Sequence, residues 1–216
     1  VDKLAVRPQI PESFFEHRQL FAAPWIERWG IPNPFIATLF SLLRTTGVEL
    51  NDFSFNQDAT VGENYLNISI RKLNAAIRIG LDTVIFTAAN PYWEIAPQLS
   101  SVFDQVSDEI RNVVGASPKS QEGVLAFHVT PGTLDFGKMT ASLVHKNVVG
   151  ECLFYGVSLH KAEGALIIDK SLRYENAAFV RLQRRFSGEA RFAEVTTRLY
   201  EDEVAALRLL GVPEVP

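Results

Sequence analysis

Between residues 64 and 89 the side chains sort onto two faces with almost no exceptions, which leaves this stretch little to become except a sheet. Leu66, Ile68 and Ile70 alternate with Asn67, Ser69 and Arg71; Ile77 and Ile79 with Ala76 and Arg78; Val84 and Phe86 with Thr83 and Thr87. A period of two puts one row of side chains in a core and the other towards water or a bound molecule. The breaks at residues 72–74 and 80–82 are too short for a crossover, so the three strands are expected to be antiparallel neighbours.

The rest of the chain is read outward from that sheet. Prolines 8, 11, 24, 32 and 34 interrupt residues 1–34, so this segment is expected to be an irregular arm. Phe14, Phe15, Phe21, Trp25 and Trp29 lie within it. So many large apolar groups must pack, on the chain's own core or on a partner. Asn33-Pro34 starts a helix in which Phe35, Ile36, Leu39, Phe40, Leu42 and Leu43 share a face. Residues 48–55 read as a strand. After Asn90-Pro91, Ala96, Leu99, Phe103, Val106, Ile110 and Val113 trace the seam of a second helix.

Residues 116–122 are polar and breaker-rich, and past them the order of elements begins again. Strands are expected at 124–129, 152–159, 164–169 and 179–186, helices at 133–145 and 188–210. The domain reading is therefore an arm (1–34), a first α+β repeat (35–115), a junction (116–122) and a second α+β repeat (123–216). The strand missing from the first repeat is sought in residues 4–10 or 18–22. Strand, helix, antiparallel strands, helix, twice over, resembles the element order of TATA-binding-protein-like folds. That resemblance implies a duplicated α+β unit whose helices pack one face of a curved antiparallel sheet; it carries over no residue motif and no function. Two separate ferredoxin-like or helix-grip modules would fit the same order, and the short junction favours one continuous sheet.

Composition narrows the function classes. With 47% hydrophobic and 21% charged residues the chain can bury a core, and a net charge of -4 disfavours nucleic acid or anionic lipid held by charge alone. The single cysteine, Cys152, permits no intrachain disulfide and no multi-thiolate zinc site. A cytoplasmic protein without cofactor or metal is expected. No apolar run approaches a membrane span, and no leader is expected at a start that, lacking methionine, reads as processed or trimmed.

Several motifs invite chemistry. Residues 132–139, GTLDFGKM, match a phosphate-binding loop except that Met139 stands where a Mg²⁺-ligating hydroxyl belongs. The hairpin expected around residues 152–169 argues against the parallel sheet such a loop needs, Leu134 and Phe136 are bulky where backbone must cradle phosphate, and Thr133 reads instead as the cap of a helix. His128, His145 and His160, with Glu151 or Asp169, show no ligand spacing. His145 suits a helix C-terminus and His160 a turn. His128 is the candidate catalytic residue, on the strand face shared by Ala126 and Thr130. Cys152 beside Leu153 and Phe154 reads as a small buried hydrophobe. Arg181, Arg184, Arg185 and Arg191 could grip an anion, but Glu189, Glu194, Glu201, Asp202 and Glu203 follow them and predict ion pairs instead.

What remains is the polar sheet face: Asn67, Ser69, Arg71, Arg78, Thr83 and Thr87, with Arg181 and Gln183 from the second half. The leading expectation is a non-catalytic binding or interaction module that uses this face for a small polar or anionic ligand, a protein partner or a second copy in a homodimer. Plain solvent exposure would produce the same pattern. The alternative is a small-molecule enzyme using His128 with sheet-face arginines such as Arg78 or Arg181. That reading requires His128 to share its surroundings with an arginine or carboxylate and not to pack against helices.

Overall fold

The computed structural model describes residues 10–22, 33–57, 66–91, 96–130, 156–210 and 212. Among these residues nine strands form a single sheet: β1 (Glu12–Leu20), β2 (Phe53–Gln57), β3 (Leu66–Ile70), β4 (Ala75–Ile79), β5 (Thr83–Ala89), β6 (Ser120–Val129), β7 (Gly156–Lys161), β8 (Gly164–Lys170) and β9 (Ala178–Ser187). Their order across the sheet is β2-β3-β4-β5-β1-β6-β9-β8-β7. Every pairing is antiparallel. Among the described residues three α-helices accompany them: α1 (Asn33–Arg44), α2 (Ala96–Val114) and α3 (Phe192–Leu209).

The two-residue alternation of the central strands is an alternation of burial. Leu66, Ile68, Ile70, Ile77, Ile79 and Val84 are fully buried, whereas Asn67 and Ser69 between them are exposed. Asn74, with φ 47°, supplies the left-handed residue that turns β3 back into β4 through the short turn Arg71–Leu73. The helices cover the apolar face. Phe40 of α1 meets Phe53 of β2, Phe103 of α2 meets Phe86 of β5, and Phe192 of α3 lies against Phe15, His17 and Phe86. α2 ends where Gly115 adopts φ 71° and its N–H closes on the Arg111 carbonyl, the left-handed cap that glycine allows without Cβ strain. α3 approaches β6 closely at Gly123, where a Cβ would stand 2.9 Å from Leu199 Cδ1 and 3.0 Å from Val195 Cγ1.

The largest departure from expectation is β1. Residues 12–20 belong to the segment read as an irregular arm, and they form a central strand of the sheet, paired with β5 on one side and β6 on the other. The strand sought in 4–10 or 18–22 runs over 12–20, missing the first range and overlapping the second only at 18–20. Its helix side carries His17 and Gln19 where a buried strand ordinarily shows aliphatics, which erased the period-two signal. β6 likewise starts at Ser120, inside the segment read as a junction, because polar Gln121 is a buried sheet residue. One continuous sheet, not two modules, is what these strands form. The helix expected at 133–145 lies outside the described residues.

Buried polar groups knit the centre together. Gln121 Nε2 donates to the carbonyls of Gly188 (2.8 Å) and Ala190 (2.9 Å), which fixes its amide orientation and turns Oε1 towards β1. Oε1 then accepts from His17 Nε2–H at 2.7 Å and from Gln19 Nε2 at 3.3 Å. Gln19 also reaches Ser107 Oγ of α2 at 3.4 Å. His17 is stacked on Phe86 and meets the edge of Phe192, and burial holds its pKa down at about 4, the Gln121 hydrogen bond pulling up against this and the Arg111 charge adding to it.

Candidate functional site

All contacts of the three described helices are on one side of the sheet; the other side, helix-free among the described residues, is traced by register. Reading across from β2, Asn56, Asn67, Arg78, Ile85, Arg18, Glu122 and Arg185 stand opposite one another in one row through seven strands. The next row runs Ser54, Ser69, Ala76, Thr87, Glu16, Val124, Gln183, Ala165 and His160, through all nine. A third contains Ala89, Phe14, Ala126, Arg181, Ile167 and Ser158. A fourth contains Glu12, His128, Phe179, Asp169 and Gly156.

Asn67, Ser69, Arg78, Thr83, Thr87, Arg181 and Gln183 therefore share this helix-free face. Arg71 does not join the rows; it opens the turn after β3 and is exposed there. Sequence reasoning missed Glu12, Phe14, Glu16 and Arg18, because all four sit on β1. Glu16 is the hub of the centre: its carboxylate lies 3.3 Å from Arg18 Nη2 and 3.7 Å from Arg78 Nη2. Glu122 accepts a 2.6 Å hydrogen bond from Gln183 Nε2.

The arginine cluster read from the sequence is split by strand alternation. Arg184 points to the helix side and meets Asp202 of α3 at 3.0 Å, as the acidic neighbours predicted. Arg191 finds its partners on α2 instead, Asp108 at 2.8 Å and Asp104 at 3.4 Å, and these pairs raise its pKa, the Asp108 hydrogen bond most. Arg181 and Arg185 stand on the helix-free face, exposed, and have no side-chain partner among the described residues.

His128 lies on the same face, half-buried, between buried Phe127 and Val129 on the other side. Its protonation state can be read from its neighbour. Ser171 Oγ accepts backbone N–H groups from Arg173 (3.1 Å) and Tyr174 (2.9 Å), which occupies both of its lone pairs. The hydroxyl proton is thus left for His128 Nδ1 at 3.0 Å, so Nδ1 is an acceptor and Nε2 carries the hydrogen. Burial lowers the pKa of His128, opposed by the charge of Glu12 and reinforced by that of Arg173. Glu12 is itself held by Arg173 at 2.6 Å and by the Tyr174 hydroxyl at 3.3 Å. His128 accordingly has a carboxylate, Glu12, and a guanidinium, Arg173, nearby, and among the described residues its ring contacts are Tyr174 and Phe179.

His160 faces outward on edge strand β7. His145, Cys152, Glu151 and the GTLDFGKM segment lie outside the described residues, but the sheet around β7 and β8 is antiparallel, unlike the sheet of a phosphate-loop nucleotide-binding fold. Among the described residues no three His, Cys, Asp or Glu side chains gather closely enough to hold a metal, and no helix is long and apolar enough to cross a membrane. No protein-family model matches the chain, and no curated protein matches it in sequence.

Proposed function

We propose that the chain is a non-catalytic binding or interaction module that holds a small polar or anionic ligand, or a protein partner, on the helix-free face of its sheet. The observation that carries this reading is the charge balance of that face. Leaving aside Glu12, which Arg173 neutralises, Arg18, Arg78, Arg181 and Arg185 meet Glu16, Glu122 and, on β8, Asp169 among the described residues, four guanidiniums against three carboxylates in a chain whose net charge is -4. A local cationic excess on an acidic protein attracts anions selectively, and guanidiniums ringed by Asn, Ser, Thr and Gln side chains can fork onto a carboxylate or phosphate.

The same reading takes the fold as a duplicated, curved unit with TATA-binding-protein-like element order. Supporting it is the layout about the β1–β6 seam: β1, β5, β4, β3 and β2 run outward on one side and β6, β9, β8 and β7 on the other, one strand fewer, and each half closes with a helix, α2 or α3. Cytoplasmic residence belongs to the proposal too, resting on the single cysteine.

Native mass spectrometry of the purified protein tests the reading. A non-covalent mass retained by the wild type and lost in the double variant Arg18→Ala, Arg78→Ala is the expected result. Retention unchanged in that variant would place the ligand elsewhere. A second reading, a small-molecule enzyme built on His128 and the sheet-face arginines, is favoured by one observation: Arg181 stands diagonally across from His128 on the neighbouring strand. It predicts that the retained molecule is chemically altered on incubation with wild type and not with His128→Phe.

A further inference from the structure

Ala126 is the smallest side chain in the middle of the helix-free face. Phe14 stands directly opposite on β1 and Arg181 directly opposite on β9. Two strand spacings, about 10 Å, separate those two backbones. Along β6 the next residue on the same face is His128, whose Nε2 carries the hydrogen, and Phe179 stands opposite it. The floor is thus a methyl group, one wall a phenyl ring left 40% exposed, and the other wall an exposed guanidinium without a side-chain partner among the described residues.

That guanidinium, without an ion pair among the described residues, has mostly apolar company: Ala126 and Ile167 in its row and Phe179 before it on the same face of β9, with Gln183, whose amide is held by Glu122, after it and Asp169 diagonally across on β8. Arg18 and Arg78, by contrast, already share Glu16. A cation beside aromatic and aliphatic surface selects ligands that carry both features, an anion that fills the fork and an apolar body that covers the surface around it.

We propose that Phe14, Ala126, His128 and Arg181 form a subsite for a small organic carboxylate bearing an aromatic or apolar body. The carboxylate accepts a forked pair of hydrogen bonds from Arg181, its ring lies over the Ala126 methyl against Phe14, and the His128 imidazole, a hydrogen-bond donor with no positive charge, borders it. This inference rests on the binding-face reading and narrows it to one ligand class and one part of the face.

The test is a titration of protein carrying ¹³C-labelled alanine methyls with benzoate, beside acetate, which lacks the ring, and benzyl alcohol, which lacks the charge. Benzoate is expected to shift the Ala126 methyl saturably and more tightly than either control. Arg181→Ala should weaken benzoate about tenfold through loss of a charge-assisted hydrogen bond, and Ala126→Leu should remove binding by filling the floor. Because Arg181 is exposed, the first variant stays informative even where the second melts early. An Ala126 signal unmoved by benzoate, or affinity unchanged in Arg181→Ala, overturns the subsite. If a co-purifying mass is then still lost in the Arg18→Ala, Arg78→Ala variant, the subsite has failed while the binding-face reading stands.

Discussion

His17 is a titratable group that the fold keeps neutral. Its folded pKa of about 4 lies below the unfolded value of 6.5, so the unfolded chain binds more protons between those values and stability falls as pH is lowered through that window. At 1.36 kcal/mol per unit the loss reaches roughly 3 kcal/mol by pH 4. Urea unfolding of wild type and His17→Phe at a series of pH values checks this: the variant should lack most of the acid slope between 6.5 and 4, and an unchanged slope would assign it to other groups. Two adjacent residues of β4 test the two faces. Ile77 is fully buried and Ile77→Asp should cost more than about 4 kcal/mol by burying a charge. Arg78 is half-exposed with a 3.7 Å pair to Glu16, so Arg78→Ala should change stability by no more than about 1 kcal/mol. Equal losses in melting temperature would mean that the faces are reversed.

At the scale of elements, legibility followed the chemistry of the buried row. β3, β4 and β5 were readable because every helix-side residue is aliphatic, aromatic or alanine, and α2 because its apolar seam repeats with the helical period. β1 was not, because His17 and Gln19 are buried by pairing with Gln121, a partner from beyond residue 115 that no local window contains. The candidate face was legible wherever its strands were: Arg78, Arg181 and Gln183 were named from alternation, whereas Phe14, Glu16 and Arg18 went unseen with their strand. The seat of α3 on β6 was also invisible, since Gly123 announces itself only once Leu199 and Val195 are known to lie over it. Gly123→Val should push α3 off the sheet at a cost of about 1–3 kcal/mol, measured by thermal unfolding. A value near zero would show that the helix shifts freely at that contact.

For the molecule as a whole, the decisive feature is that the sheet is joined at its middle by strands from its two halves. β1 pairs with β6 over nine residue positions, from Glu12 opposite His128 to Leu20 opposite Ser120. Removing either half would expose an unpaired strand edge along the seam, so the cationic rows and the core beneath them exist only in the joined sheet. β1 also precedes both of its partners by a long stretch of chain: it ends at Leu20, and β5 and β6 follow only at Thr83–Ala89 and Ser120–Val129. During synthesis it therefore leaves the ribosome well before anything it can pair with. The hairpins of β3, β4 and β5 can close as they emerge, but the first strand must wait, its phenylalanines unsheltered, for the last of its neighbours to be translated.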